Sequence, residues 1–107
     1  MTEHVIWVKS FILPYIKNGS KTLEVRLSSR MMKRIQVGDT LLFNEEERRK
    51  VKDIRHRKDF HDVVTREDTE KILPGYGPAR LHALYMQHFG ALRDLDGVLV
   101  FEIEPVS

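Results

Sequence analysis

Cysteine is absent from the 107 residues, which removes disulfide frameworks, thiolate nucleophiles and cysteine-ligated zinc or iron–sulfur centres, and predicts a cytoplasmic address. No apolar run is longer than Phe11-Ile12-Leu13-Pro14-Tyr15-Ile16, whereas a membrane span needs roughly 20 such residues. The first residues carry no signal-peptide pattern, so no membrane partner is expected. Charge of a single sign is also scarce. The 18 basic and 16 acidic residues leave a net charge of +2, too small to mark a nucleic-acid binder on its own. There is no internal repeat, low-complexity tract or linker. A second core would leave each half near the lower limit for independent folding, so residues 1–107 are expected to form one domain. With 41% apolar and 32% charged residues, the chain can build a core beneath a solvated exterior, which excludes wholesale disorder.

The charge that is present is unevenly spread. Residues 21–58 hold 12 Lys/Arg and 6 Asp/Glu, while residues 59–107 hold 4 and 9. In the basic half, Arg48, Arg49, Lys50, Lys52, Arg55, Arg57 and Lys58 crowd into eleven residues broken by one acid, Asp53. That density fits a phosphate-backbone footprint in which Arg48, Arg49, Lys52, Arg55 and Arg57 position a nucleic acid. It equally fits a solvated strand face paired with Glu45, Glu46 and Glu47. Oppositely charged halves also suit an interaction module that attracts a protein partner or a second copy of the chain.

The local patterns predict short strands with helices between them. His4–Val8 reads as a strand, and Pro14 as the first turn of a helix that Asn18-Gly19 closes. Thr22–Leu27 alternates strictly, with Leu23, Val25 and Leu27 on one face and Thr22, Glu24 and Arg26 on the other. A helical turn at Arg30–Arg34 precedes the turn Val37-Gly38-Asp39 and the strand Thr40–Phe43, and a return through Glu45–Arg49 leads into Val51–Arg57. Thr65 and Asp68 form a helix-start signal for a short helix that Pro74 halts after Leu73. Pro78 opens another helix, with Leu81, Leu84, Tyr85 and His88 on one stripe, His82, Met86 and Phe89 on a second packing face, and Gly90 at its close. Val98–Ile103 begins with a continuous apolar run, the mark of a strand buried on both sides. Five strands with inserted helices predict an α+β domain with a small, closed or strongly curved sheet.

The most informative stretch is Gly19-Ser20-Lys21-Thr22-Leu23-Glu24-Val25-Arg26. Arg26 offers a planar fork for phosphate or carboxylate, and Glu24 can accept hydrogen bonds or a proton. An outward-facing ion pair is the plainer reading of the same residues. Lys21 has the parity of the apolar face, so it joins the polar residues only if the strand begins after it. Gly-Ser-Lys-Thr is not a Walker phosphate loop, because that motif follows a strand and opens a helix, whereas here a helix precedes a strand. The five histidines, His4, His56, His61, His82 and His88, show no zinc-binding spacing, so no metal is expected. No hydrolase signature surrounds Ser28, Ser29, Thr22 or Thr40. Trp7, Tyr76 and Tyr85 are available for base stacking or for ordinary packing.

Taken together, four segments resemble the ASCH (activating signal cointegrator homology) family, of the small single-domain prokaryotic type. They are Gly19-x-Lys21-Thr22-x-Glu24-x-Arg26, the run Ile35 to Phe43, Val51-x-x-Ile54 with Phe60 shortly after, and Gly97 to Ile103. The resemblance implies a small β-barrel of about five strands related to the PUA fold. It also implies a cleft beside the barrel for RNA or a nucleotide-like ligand, with Lys21, Thr22, Glu24 and Arg26 as ligand-binding residues and no cofactor. One bacterial branch of the family hydrolyses the acetyl amide of N4-acetylcytidine with a lysine, a threonine and a glutamate. Lys21 matches that lysine, Glu24 replaces the threonine two residues before the motif arginine, and Glu67 and Glu70 are acids near the position of the glutamate. The alternative reading is therefore a small amidohydrolase acting on a modified nucleoside, with Lys21 positioning and Glu24 as general acid/base. No motif supports the ribonuclease activity also attached to the family.

Overall fold

Val98, Leu99, Val100 and Phe101 are all buried, and a strand apolar on both faces holds two cores together. The computed structural model describes residues 2–89 and 96–107. Its strands are β1 (Glu3–Ile6), β2 (Leu23–Leu27), β3 (Thr40–Phe43), β4 (Glu47–Arg57) and β5 (Val98–Pro105). Its helices are α1 (Leu13–Lys17), α2 (Arg30–Lys33), α3 (Phe60–Arg66), α4 (Thr69–Ile72) and α5 (Gly77–Phe89). This is the expected α+β class. The strands form one mixed sheet in the order β1-β3-β4-β5-β2, with β1 and β3 parallel and the other pairs antiparallel. Leu99, Phe101 and Ile103 of β5 face a core with Ile6, Leu41, Phe43 and Val51, closed by Leu13 and Ile16 of α1. Val98 and Val100 face the second core, built from Leu23 and Val25 of β2 and from Phe60, Val63, Leu81 and Tyr85 of α3 and α5.

The sheet curls. A bulge between Val51 and Asp53 sharpens the twist of β4, which pairs with β3 at one end and β5 along most of its length. The two edge strands, β1 and β2, approach each other across the Arg26 side chain, whose Nη2 donates to the Trp7 carbonyl at 2.7 Å. No backbone ladder joins them among the described residues. Chain direction just after β1 is set by Asn44, whose Oδ1 accepts from Val8 N at 2.8 Å and whose Nδ2 donates to Val8 O at 3.0 Å. These side-chain bonds replace the ladder there, which is why β1 ends at Ile6 rather than at the expected Val8.

Three local expectations are corrected. The return before β4 is a tight turn with Asn44 and Glu45 at φ 54 and 57, so the strand starts at Glu47 and takes in most of the basic run. Thr65 is not a helix start: its hydroxyl donates back to His61 O inside α3. The caps are Asp59, which accepts from Asp62 N, and Asp68, which accepts from Glu70 N, so two short helices stand where one was expected. The expected closing residue of α5, Gly90, lies outside the described residues. No helix among those residues is long and apolar enough to cross a membrane.

Candidate functional site

A cavity of about 270 Å3 runs along the free edge of β2. One wall is the β1–α1 connection with Trp7, Phe11 and Ile12, the other is Ile72 and Leu73 beside the Leu84, Tyr85 and His88 face of α5, and Lys21, Glu24 and Arg26 lie between them. The local sequence explains how three charged groups converge. Gly19, at φ +83, turns the chain out of α1. Lys21 N then donates to Tyr15 O and Thr22 N to Lys71 O, so the segment touches α1 and α4 before β2 begins at Leu23. Lys21 therefore precedes the strand and escapes its alternation.

Glu24 and Arg26 alternate as expected, but their face is enclosed. They sit opposite Phe101 and Leu99 of β5, and Glu24 is 5% and Lys21 4% exposed. Lys21 Nζ donates to Leu23 O at 2.6 Å and Ile72 O at 2.9 Å, and lies 3.1 Å from Glu24 Oε1. Three hydrogens thus meet three acceptors, and the ammonium ties α4 to β2. Arg26 approaches Glu24 Oε2 through Nε at 2.9 Å and Nη2 at 2.6 Å. Burial pushes the Glu24 carboxyl up, but the charges and hydrogen bonds of Lys21 and Arg26 outweigh it and hold the group below its ordinary value. The outcome is an ionised acceptor between two cations, with Arg26 Nη1 left without a partner among the described residues.

Thr22 joins this segment through its backbone, its carbonyl accepting from Ile103 N, and its side chain does not line the cavity. Of the aromatic residues named from the sequence, Trp7 stands at the rim, 61% exposed. Tyr85 stacks on Phe60 with ring centroids 4.6 Å apart, so its ring is already packed. Tyr76 carries Arg80 over its ring at 4.2 Å.

None of the basic run, most of which lies along β4, lines the cavity. Arg48 pairs with Glu3, Arg49 with Glu47 and Ile16 O, Lys52 with Glu102, Arg55 with Asp53, Glu67 and Glu102, and Arg57 with Glu67. Acids therefore meet each of the five proposed phosphate-positioning residues, and they come mostly from elsewhere in the chain. Of the neighbouring Glu45, Glu46 and Glu47, only Glu47 reaches the run, while Glu46 pairs with Lys17. Hydrogen bonds from Arg55, opposed by partial burial and helped by Arg57, hold the Glu67 carboxyl below its ordinary value. Glu67 is thus a structural hub between α3 and β4. Glu70 accepts from Gly75 N, and neither of these two acids lines the cavity.

Asn44 is the residue the sequence reading missed. It fixes the Trp7 wall through a partner 36 positions away, a contact with no local signature.

Residues 12–107 match the family described as the ASCH domain. Among solved structures, the crystal structure of hypothetical protein PH0355 superposes with a TM-score of 0.88 at 29% sequence identity, covering 99% of this chain and 100% of that one. The solution structure of Protein PF0455 from Pyrococcus furiosus gives a TM-score of 0.80 at 27% identity, with 99% of each chain covered. The curated proteins contain no match.

Proposed function

This chain belongs to the ASCH domain family, and from that premise we propose that it binds RNA or a nucleotide-like ligand by taking one unstacked base into the cavity along β2. The observation that carries the reading is the pairing of an ionised, buried Glu24 with Arg26, whose Nη1 has no partner among the described residues, in a cavity lined mostly by apolar and aromatic side chains, with Lys9, Lys21 and His88 as its other polar groups. An acceptor beside a donor, walled by apolar groups, suits the polar edge of a base. A volume just under the roughly 300–1,000 Å3 of drug-sized sites admits one base with part of its sugar and excludes a stacked oligonucleotide. Trp7 at the rim supplies an aromatic face for a base or a neighbouring nucleotide. Lys21 supports the site from beneath by fixing Glu24. The role calls for no cofactor and agrees with the cytoplasmic address expected from the absence of cysteine.

The hydrolytic alternative has less support in the geometry. A general acid/base must exchange a proton near neutral pH, whereas Glu24 is held ionised between two cations. All three hydrogens of the Lys21 ammonium are also engaged.

The salt dependence of RNA binding tests the reading. Single-strand affinity falls with a slope of about −0.7 per phosphate neutralised. Capture of one base, with one or two flanking phosphates at the mouth of the cavity, where Lys9 also lines it, predicts a slope between about −0.7 and −1.4. Engagement of Arg48, Arg49, Lys52, Arg55 and Arg57 together requires about −3.5, and that result would move the interface to β4.

A further inference from the structure

We propose that the backbone of Val25, at the free edge of β2, is the group that touches the base: its N–H and C=O hydrogen-bond the neighbouring acceptor and donor of a nucleobase edge. The inference rests on the base-binding reading above and names the protein atoms that meet the base.

The alternation of the β2–β5 ladder fixes where the Val25 groups point. Ile103 N donates to Thr22 O and Ser28 N donates to Gly97 O, so even-numbered residues of this segment face β5 with their backbone groups. In an antiparallel pair every second residue does so. Glu24 and Arg26, in register with Phe101 and Leu99, therefore bond to β5, whereas Leu23, Val25 and Leu27 turn N–H and C=O the other way, to the free edge. Leu23 shows the same sense, since its carbonyl oxygen accepts from the Lys21 ammonium at 2.6 Å.

The N–H and C=O of Val25 have no partner among the described residues, although the residue is only 7% exposed. Val25 lines the cavity from one face of β2, and Glu24 and Arg26 line it from the other. The cavity therefore lies against the strand edge itself, where these two groups emerge. A nearly buried peptide group left unpaired is costly, so a ligand that pairs it is favoured.

One donor and one acceptor side by side suit any of the four bases, because each carries a donor next to an acceptor on an edge that proteins read. The contact thus separates a base from a sugar or a phosphate, and does not separate one base from another. An extended peptide suits the edge less. On either side of Val25 in sequence, Lys21 occupies Leu23 O and the Arg26 side chain spans to Trp7 O, so an added strand finds one residue to pair with, where strand addition draws its affinity from a row of main-chain bonds.

Amide hydrogen exchange of the full chain, read by NMR with and without saturating uridine or adenosine 5′-monophosphate, tests this. Protection of the Val25 N–H is expected to rise at least about tenfold relative to Glu24 and Arg26, whose ladder bonds need no ligand. Ribose 5-phosphate, which has no base, is expected to leave it unchanged. 3-Methyluridine 5′-monophosphate lacks the ring N–H that would meet Val25 O, and is expected to bind at least about fivefold more weakly than uridine 5′-monophosphate. Nucleotide binding with Val25 exchange unchanged overturns the edge contact while leaving base binding in place. Equal protection by ribose 5-phosphate overturns the base as the group that is met, and equal affinity for the methylated nucleotide overturns the role of the carbonyl. Failure of both nucleotides to bind overturns the base-binding reading and this contact with it.

Discussion

Glu24→Gln is expected to lower stability by about 3 kcal/mol at neutral pH, the lower end of what breaking a buried ion pair costs, or roughly 15 °C in Tm for a domain of this size. The carboxylate is the single anion between Lys21 and Arg26, and the first of these cations is 4% exposed. A glutamine oxygen can accept from one of them, which turns the amide hydrogens toward the other. The pH profile carries the same information. Because folding lowers this carboxyl, its stabilisation is complete above the unfolded value, near pH 4.5, and is lost as the pH falls through the folded value. Wild type should therefore lose stability on the acid side more steeply than Glu24→Gln. Asp39, Asp62 and Glu67, also held low, keep the variant from becoming flat. Thermal unfolding of both proteins between pH 3 and pH 7 checks this, and a neutral Tm within about 3 °C of wild type would show that the ion pair is not what holds the site together.

Gly97→Ala should be as damaging, by about 3 kcal/mol, for a steric reason. Gly97 has φ +85, and a Cβ placed there lies 2.5 and 2.6 Å from Cε1 and Nε2 of His56 and 2.7 Å from the Arg57 carbonyl oxygen. The imidazole can swing away only by giving up its 2.8 Å contact with Asp96 O. The carbonyl belongs to the β4–β5 ladder, where Arg57 pairs with Val98, and Val98 is buried in the core behind the cavity. Left-handed backbone costs an alanine about 1–2 kcal/mol, and the overlap adds about 1–3 kcal/mol. Gly75→Ala is the control, since Gly75 has φ +83 with nothing within 4 Å. Denaturant unfolding should show Gly97→Ala clearly more destabilised than Gly75→Ala. Equal losses would mean that the backbone conformation alone is responsible.

What could be read from the sequence was local. The alternation of β2, the proline near the start of α1, the helical turn at α2 and the doubly apolar start of β5 are all contained within a few residues, and each forms where the pattern puts it. Enclosure of the polar face of β2 was not legible, because it depends on Trp7 and α5 arriving from distant parts of the chain. The nearest sequence signal was Lys21, a cation at the parity of apolar residues beside Glu24. The pairing of the basic run was hidden for the same reason. Its charge density is local, but Glu3, Glu67 and Glu102, which neutralise much of it, are distant in sequence. Tyr85 shows a third limit: helical spacing identified it as a packing residue, which its ring is, while its place in the cavity wall depends on the tertiary arrangement.

The central claim is that the cavity along β2, and not the surface of β4, receives the nucleic acid. Amide chemical shifts of the isotope-labelled full chain, followed during titration with a short single-stranded RNA, test it most directly. The account predicts the largest changes at Trp7, Glu24, Val25, Arg26, Ile72 and Tyr85, with Arg48 to Arg57 largely unmoved. Changes concentrated along Arg48 to Arg57, with the cavity residues silent, would contradict it.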